Sequence, residues 1–132
     1  MRHPQVLVYE TDNRLARALQ PLCAERRWVL REPRRTEACL ELLRERPGVL
    51  VLRLGKQLER ELRLLRDVSW RCPAARSIVV GDVENDALAG LAWDLGAHYV
   101  LFPPQPRELV RDLVDHMLTT SGKPKADHEP VP

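Results

Sequence analysis

Short apolar runs alternate with longer amphipathic stretches along this chain. The runs are rich in β-branched residues, and most end in a polar or glycine- or proline-containing segment, as is typical of buried strands. They lie at residues 5–9, 28–30, 49–54, 77–80 and 98–102. In the stretches that follow them, apolar residues recur three and four positions apart, which predicts helices that each bury one face. These predicted helices begin near residues 13, 36, 58, 86 and 106.

Five strands that alternate with five helices predict an α/β domain with a parallel sheet and helices on both faces. Right-handed crossovers leave few topologies, and one is the doubly wound order 2-1-3-4-5. In that order, ligands bind outside the carboxyl ends of the central strands. The run at 49–54 is apolar almost throughout, which suits a central strand covered on both sides. Glu10, Arg53 and Gly81 fall at strand ends, so they are expected in that crevice.

The composition is that of one globular domain, and it excludes several classes of function. The chain has 132 residues, 44% hydrophobic and 30% charged, with a net charge of +2. Its apolar runs are far shorter than the ~20 residues of a membrane span, and no apolar segment follows the first residues as in a secretory signal. The balanced charge favours neither nucleic acid nor a membrane as partner. We therefore expect a cytoplasmic protein.

The C-terminal end differs from the rest of the sequence. Residues 121–132 are polar and proline-rich and lack apolar periodicity. Such a segment buries too little apolar surface to become ordered. The sequence therefore predicts a domain over residues 1–120 and a disordered tail over residues 121–132.

The chemically reactive residues form no catalytic or metal-binding motif. Cys23, Cys39 and Cys72 are widely spaced and lack a CxxC pair, which predicts neither a disulfide framework nor a zinc site. The four histidines have no metal-ligand spacing. An acid, a base and a nucleophile cannot be assembled in one place, so we expect no enzymatic activity and no cofactor.

A basic cluster surrounds the second predicted strand, and glutamates are interleaved with it. This mixture favours a solvated face over a contact with an anionic partner or nucleic acid. The basic residues are Arg26, Arg27, Arg31, Arg34 and Arg35.

Two local motifs carry a resemblance to a known family. Residues 6–12 are an apolar strand followed by an acidic loop, and residues 95–103 are similar to a motif Gly-Ala-x-x-Tyr-(apolar)-x-Lys-Pro. With the order of elements, these motifs resemble the receiver domain of bacterial response regulators, over about residues 4–120. The resemblance implies a flavodoxin-like fold and a role in two-component signalling.

The residues at the phosphorylation site depart from those of working receivers. The resemblance places the magnesium-binding acidic pair at Glu10 and Thr11, so half of it is missing. It places Arg53 where the phospho-accepting aspartate stands, Gly81 where a Ser or Thr senses the phosphoryl group, and Phe102 where a lysine contacts it. An arginine has no acceptor oxygen and keeps its charge. The sequence therefore predicts a pseudo-receiver, without aspartyl phosphorylation at the usual place.

Two residues of this degenerate pocket have two interpretations each. The guanidinium of Arg53 could pair with Glu10 and Asp12 in the space of the metal and phosphoryl group, or it could extend into solvent. Phe102 could close the crevice with its ring or be exposed in a docking patch. The resemblance also implies a cis peptide bond between Phe102 and Pro103.

The leading hypothesis for function is a phosphorylation-independent module that binds another signalling protein. The resemblance implies a face made by helix 4, strand 5 and helix 5, through which a homodimer could also form. Trp93 could instead be a partly buried core aromatic. The residues predicted for this face are Trp93, His98, Tyr99, Phe102, Pro104 and Arg107.

Two other functions remain open. The crevice around Arg53 could sense a small anionic ligand, because arginine suits carboxylate and phosphate. The chain could also be a stand-alone receiver that uses Asp12 or Asp82 as a substitute acceptor. Asp82 is otherwise expected to cap a turn or the following helix.

Overall fold

The structure, a computed structural model, describes residues 4–120 as five strands and five helices in alternation. The strands are β1 (Gln5–Tyr9), β2 (Val29–Arg31), β3 (Gly48–Arg53), β4 (Arg76–Val80) and β5 (Tyr99–Leu101). The helices are α1 (Arg14–Arg26), α2 (Thr36–Glu45), α3 (Leu58–Arg71), α4 (Asp86–Asp94) and α5 (Leu109–Thr120). The tail predicted at residues 121–132 lies outside the described residues, as do residues 1–3.

All strand pairs are parallel, and the sheet order is β2-β1-β3-β4-β5, which confirms the predicted doubly wound topology. Successive side chains of a strand point to opposite faces of the sheet. One face of β1, with Val6 and Val8, packs under α1 and α5, and the other, with Leu7, packs under α2, α3 and α4. Because both faces are covered, the central strands are apolar without alternation.

The start of β3 differs from the prediction, which placed Gly48 at the end of a helix and the strand at residues 49–54. Gly48 is the first residue of the strand and pairs with Gln5 of β1. A Cβ at this position would lie 2.2 Å from the carbonyl oxygen of Gln5. The buried Gln5 side chain donates to the carbonyls of Leu42 and Arg46, at 2.9 and 2.5 Å, at the end of α2. Gly48 thus permits the close approach that joins α2 to the sheet.

The strand register brings the predicted site residues to one edge of the sheet. Leu52 pairs with Tyr9, and Arg53 pairs with Val80. The residues that follow β1 and β4, Glu10 and Gly81, therefore lie beside the end of β3. Among residues 4–120, none of the helices combines the length and apolarity that a membrane span requires.

Candidate functional site

Arg53, the last residue of β3, pairs with carboxylates from two different loops. Its Nε and Nη2 donate to Oδ1 and Oδ2 of Asp82 at 3.1 and 2.9 Å, a bidentate pair. Its Nη1 donates to Oδ2 of Asp12 at 2.6 Å and lies 4.0 Å from Oε1 of Glu10. Only 13% of the Arg53 side chain is exposed. The guanidinium therefore pairs instead of extending into solvent, and its main partner is Asp82 rather than Glu10.

Asp82 connects this pair to the opposite side of the crevice. It follows β4, and its Oδ1 also accepts a hydrogen bond from Nη2 of Arg107, in the segment between β5 and α5. Asp82 does not cap the next helix, because Asn85 does so by accepting from the backbone N–H of Leu88 at 3.0 Å. One carboxylate thus joins two guanidiniums from separate parts of the chain.

The acidic loop after β1 is engaged with the start of α1. The Glu10 side chain is 2% exposed. Its two oxygens accept the N–H groups of Leu15 and Ala16, at 3.2 and 3.1 Å, which have no partner within the first turn of the helix. Oδ1 of Asp12 accepts the N–H of Arg14 at 3.0 Å. Both carboxylates therefore stabilise the helix start, whereas the Thr11 side chain is exposed.

Hydrogen bonds and burial shift the pKa values of these groups in opposite directions. The N–H of Arg14, and then Arg53, hold the pKa of Asp12 at about 2. Arg53 and then Arg107 lower the pKa of Asp82, although burial acts against them. Burial raises the pKa of Glu10 more than its two backbone hydrogen bonds lower it. Asp82 raises the pKa of Arg53, so the guanidinium remains charged.

These residues do not fit a magnesium ion. Magnesium requires several oxygen ligands in near-octahedral geometry. Both oxygens of Glu10 accept backbone N–H groups. The oxygens of Asp12 accept from Arg53 and from the backbone N–H of Arg14, and those of Asp82 accept from Arg53 and Arg107. Within residues 4–120 no group of three His, Cys, Asp or Glu side chains is arranged to hold a metal ion. The guanidinium supplies the positive charge at this edge of the sheet.

Phe102 closes the crevice beside Gly81. The ring is 7% exposed, and a Cβ on Gly81 would lie 2.4 Å from ring atom Cε2. The space that a Ser or Thr side chain would need at position 81 is therefore filled. Phe102 was also predicted for the docking face. That prediction is wrong, because the buried ring exposes too little surface to a partner.

The cis peptide bond of the following loop joins Pro103 and Pro104, and the prediction of a cis bond between Phe102 and Pro103 was wrong. Counted from Gly96, the nine positions of the motif place its lysine at Pro103 and its proline at Pro104. The same count places the tyrosine of the motif at Val100. The alignment of Tyr99 with that tyrosine, and of Phe102 with the lysine, was therefore one residue early. In either count, no ammonium group stands at this position.

The predicted interaction face divides into two groups. Trp93 in α4 and Tyr99 in β5 are 49% and 37% exposed, and their ring centroids lie 6.0 Å apart. Trp93 is therefore not a core aromatic. His98 accepts a backbone N–H of β4 at 3.1 Å through Nδ1, and burial lowers its pKa. Pro104 and Arg107 follow the other end of β5, where Arg107 bonds to the crevice.

Comparisons with family models and with curated proteins find no match to this chain. Solved receiver domains do match its structure. A response regulator from Thermotoga maritima has 14% identity and a TM-score of 0.73, over 90% of this chain and all of that one. The receiver domain of a DNA-binding response regulator from Colwellia psychrerythraea has 16% identity and a TM-score of 0.72, over 89% of this chain and 99% of that one.

A third similar structure is the BeF3-activated receiver domain of RstA from Klebsiella pneumoniae, at 15% identity and a TM-score of 0.69, over 86% of this chain and 97% of that one. At such low identities the similarity establishes the fold alone. The chain therefore has the fold of response-regulator receiver domains, and its crevice contains an arginine held by carboxylates.

The first prediction concerns the Arg53 pairs. Arg53→Met should lower the free energy of unfolding at pH 7 by roughly 2 kcal/mol, because Asp12 and Asp82 lose their bonds to a mostly buried guanidinium, although Asp82 keeps its bond to Arg107. The loss should shrink as the pH falls from about 4 towards 2, because the folded-state pKa values of Asp12 and Asp82 are lowered and protonation removes the charges that Arg53 stabilises.

Urea unfolding at pH 7 and pH 2.5 measures both effects. Arg63→Met is the matched control, because Arg63 pairs with Glu59 while their side chains are 59% and 89% exposed. Such an exposed pair contributes at most about 1 kcal/mol. Equal losses for the two variants at pH 7, or a loss for Arg53→Met that does not change with pH, would contradict the network.

The second prediction concerns the contact between Gly81 and Phe102. Gly81→Thr should destabilise the domain by about 1–3 kcal/mol, because the new side chain overlaps the ring. In the Phe102→Ala background the same change should cost less, giving a favourable coupling energy in a double-mutant cycle. Gly55→Thr, where a Cβ meets nothing within 4 Å, is the control and should add independently to Phe102→Ala. Strict additivity of the effects of Gly81→Thr and Phe102→Ala would disprove the steric coupling.

Proposed function

We propose that this chain is a receiver-like module of two-component-type signalling that acts without phosphorylation. It binds a protein partner through the face formed by α4, β5 and α5. The observation that carries the proposal is the position of Arg53, whose guanidinium is bonded to Asp12 and Asp82 at the carboxyl edge of the sheet. A guanidinium has no carboxylate oxygen that could form an aspartyl phosphate, and it stays protonated and is therefore a poor nucleophile.

A substitute acceptor is a weaker alternative. Asp12 and Asp82 both accept hydrogen bonds from Arg53, and Asp82 accepts another from Arg107. A carboxylate oxygen that accepts two charge-assisted hydrogen bonds must give them up before it can attack phosphorus. These contacts favour a fixed crevice over a phosphorylated one.

The crevice is connected to the proposed interaction face through Asp82 and Arg107. Arg107 precedes α5, and its bond to Asp82 fixes the segment between β5 and α5 to the end of β4. The face also carries the exposed pair of Trp93 and Tyr99. Exposed aromatic side chains are enriched where proteins bind one another. The Arg53 network thus supports a constitutive surface that needs no ligand to form.

The alternative function, a sensor of a small anionic ligand, has less support from the geometry. Nε, Nη1 and Nη2 of Arg53 all donate to carboxylates, so an anion would have to compete with Asp12 and Asp82 for the guanidinium. Thermal stabilisation by phosphate or a dicarboxylate that disappears in Arg53→Ala would favour this alternative.

The third prediction tests independence from phosphorylation. Amide NMR spectra of the 15N-labelled protein, recorded with magnesium and then with magnesium and beryllofluoride, should remain unchanged near the crevice, since no carboxylate is free to bind either species. Shifts that saturate and cluster around Glu10, Arg53 and Gly81 would contradict the proposal. Arg53→Asp provides the comparison, because it returns an acceptor to this position.

The fourth prediction tests the interaction face. Trp93→Glu should remove partner proteins that the wild type retains in affinity capture, because it places a charge in an exposed aromatic pair. Trp70→Glu is the matched control, since Trp70 in α3 is 81% exposed and belongs to none of the three elements of the proposed face. Both variants must unfold at the wild-type temperature for the comparison to hold. Retention of the same proteins by both variants would disprove the assigned face.

A further inference from the structure

Charge is divided sharply between two parts of the domain. Residues 26–76 carry 14 basic and 7 acidic side chains, whereas residues 77–120 carry 2 basic and 7 acidic ones. The first part contains β2, α2, β3 and α3 and ends at Arg76, the first residue of β4, and the second contains the rest of β4 with α4, β5 and α5. The small net charge of the chain therefore conceals a basic half and an acidic half.

A groove between α2 and α3 lies within the basic half and encloses about 560 Å³. Leu40, which is half-buried, contributes apolar surface to it, whereas Leu64 borders the groove but is only 1% exposed. Its charged lining consists of Arg35, Arg60, Arg63 and Arg71, with Glu37 and Asp67.

The acidic side chains of the lining do not neutralise its arginines. Asp67 pairs with Arg66, at 3.1 Å, which is not among the lining residues. Arg35 and Arg71 form no ion pair with any residue in the part of the chain that the structure describes. An arginine without a partner retains its full capacity for bidentate bonding to a carboxylate. The groove therefore presents unpaired guanidiniums beside an apolar surface.

We infer that this groove binds an acidic amphipathic segment of a protein partner. The carboxylates of such a segment would pair with Arg35 and Arg71, and its apolar side chains would cover Leu40. Amphipathic helices bind in this way in grooves between helices. A small anion would use the arginines alone and would leave Leu40 uncovered. This surface is separate from the α4–β5–α5 face, so the inference does not depend on the proposed function.

The fifth prediction uses a labelled peptide as probe. A fluorescein-labelled peptide of about 14 residues, with leucines three and four positions apart and glutamates elsewhere, should bind saturably by fluorescence anisotropy. The Arg35→Glu/Arg71→Glu double variant should bind at least about tenfold more weakly, because both unpaired guanidiniums are replaced by repelling charges. A peptide with serine in place of leucine should also bind more weakly, since it cannot cover the apolar surface.

The control is Arg17→Glu/Arg111→Glu, which makes the same change of net charge at exposed positions on α1 and α5. Equal losses in the two double variants would mean nonspecific attraction and would overturn the inference. Arg35→Gln/Arg71→Gln removes the two charges without reversing them, so it should weaken peptide binding, but by less than the double change to glutamate does. Circular dichroism checks that each variant is folded.

Three competitors distinguish other occupants. Complete displacement of the peptide by millimolar inorganic phosphate would indicate a simple anion site, and tighter binding of single-stranded DNA of equal charge would indicate nucleic acid. A dimer of the chain at low salt that disappears in Arg35→Glu/Arg71→Glu would identify the acidic half of a second copy as the occupant. Each of these outcomes would overturn the assignment to a separate protein partner.

Discussion

The structure depends on the compensation of negative charge at the carboxyl edge of its sheet. Parallel strands bring Glu10, Asp12 and Asp82 to the same edge, and carboxylates in a partly buried crevice repel one another unless a cation lies between them. Arg53 supplies this cation from the central strand. Because the guanidinium is attached to the chain, its presence does not depend on any ligand concentration, whereas a diffusible ion stabilises a state only in proportion to its occupancy. The carboxylates at this edge of the sheet are therefore compensated without a bound ion.

Gly81 and Phe102 pack against each other in the same crevice. A hydroxyl-bearing side chain at position 81 and a large ring at position 102 cannot occupy the crevice together, since even a Cβ would overlap the ring. The small residue and the large one are therefore parts of one packing arrangement. The buried ring lies against Gly81, one residue before the exposed carboxylate of Asp82 that pairs with Arg53, so packing and electrostatics meet at the end of β4.

The fold could be predicted from sequence because both faces of its central strands are covered, which leaves a clear apolar signal between amphipathic helices. Positions that depend on contacts between residues distant in the sequence could not be predicted. Gly48 carries the signal of a helix end, yet it lies in β3 because Gln5 approaches its backbone. The location of Arg53 followed from the strand-end rule. Its main partner did not, because the strand-end rule brings several carboxylates to the crevice and does not say which of them the guanidinium reaches.

The Arg53–Asp82 pair also lies where the two oppositely charged halves of the domain meet. Arg53 belongs to the basic half, and Asp82 and Arg107 belong to the acidic half. At physiological salt, charges separated by more than about 8 Å are largely screened, so the general attraction between halves contributes little. Short pairs such as Arg53–Asp82 are screened much less, and they add to the β3–β4 strand pairing that joins the two parts. The two parts therefore lie side by side in one parallel sheet and present surfaces of opposite charge to solvent.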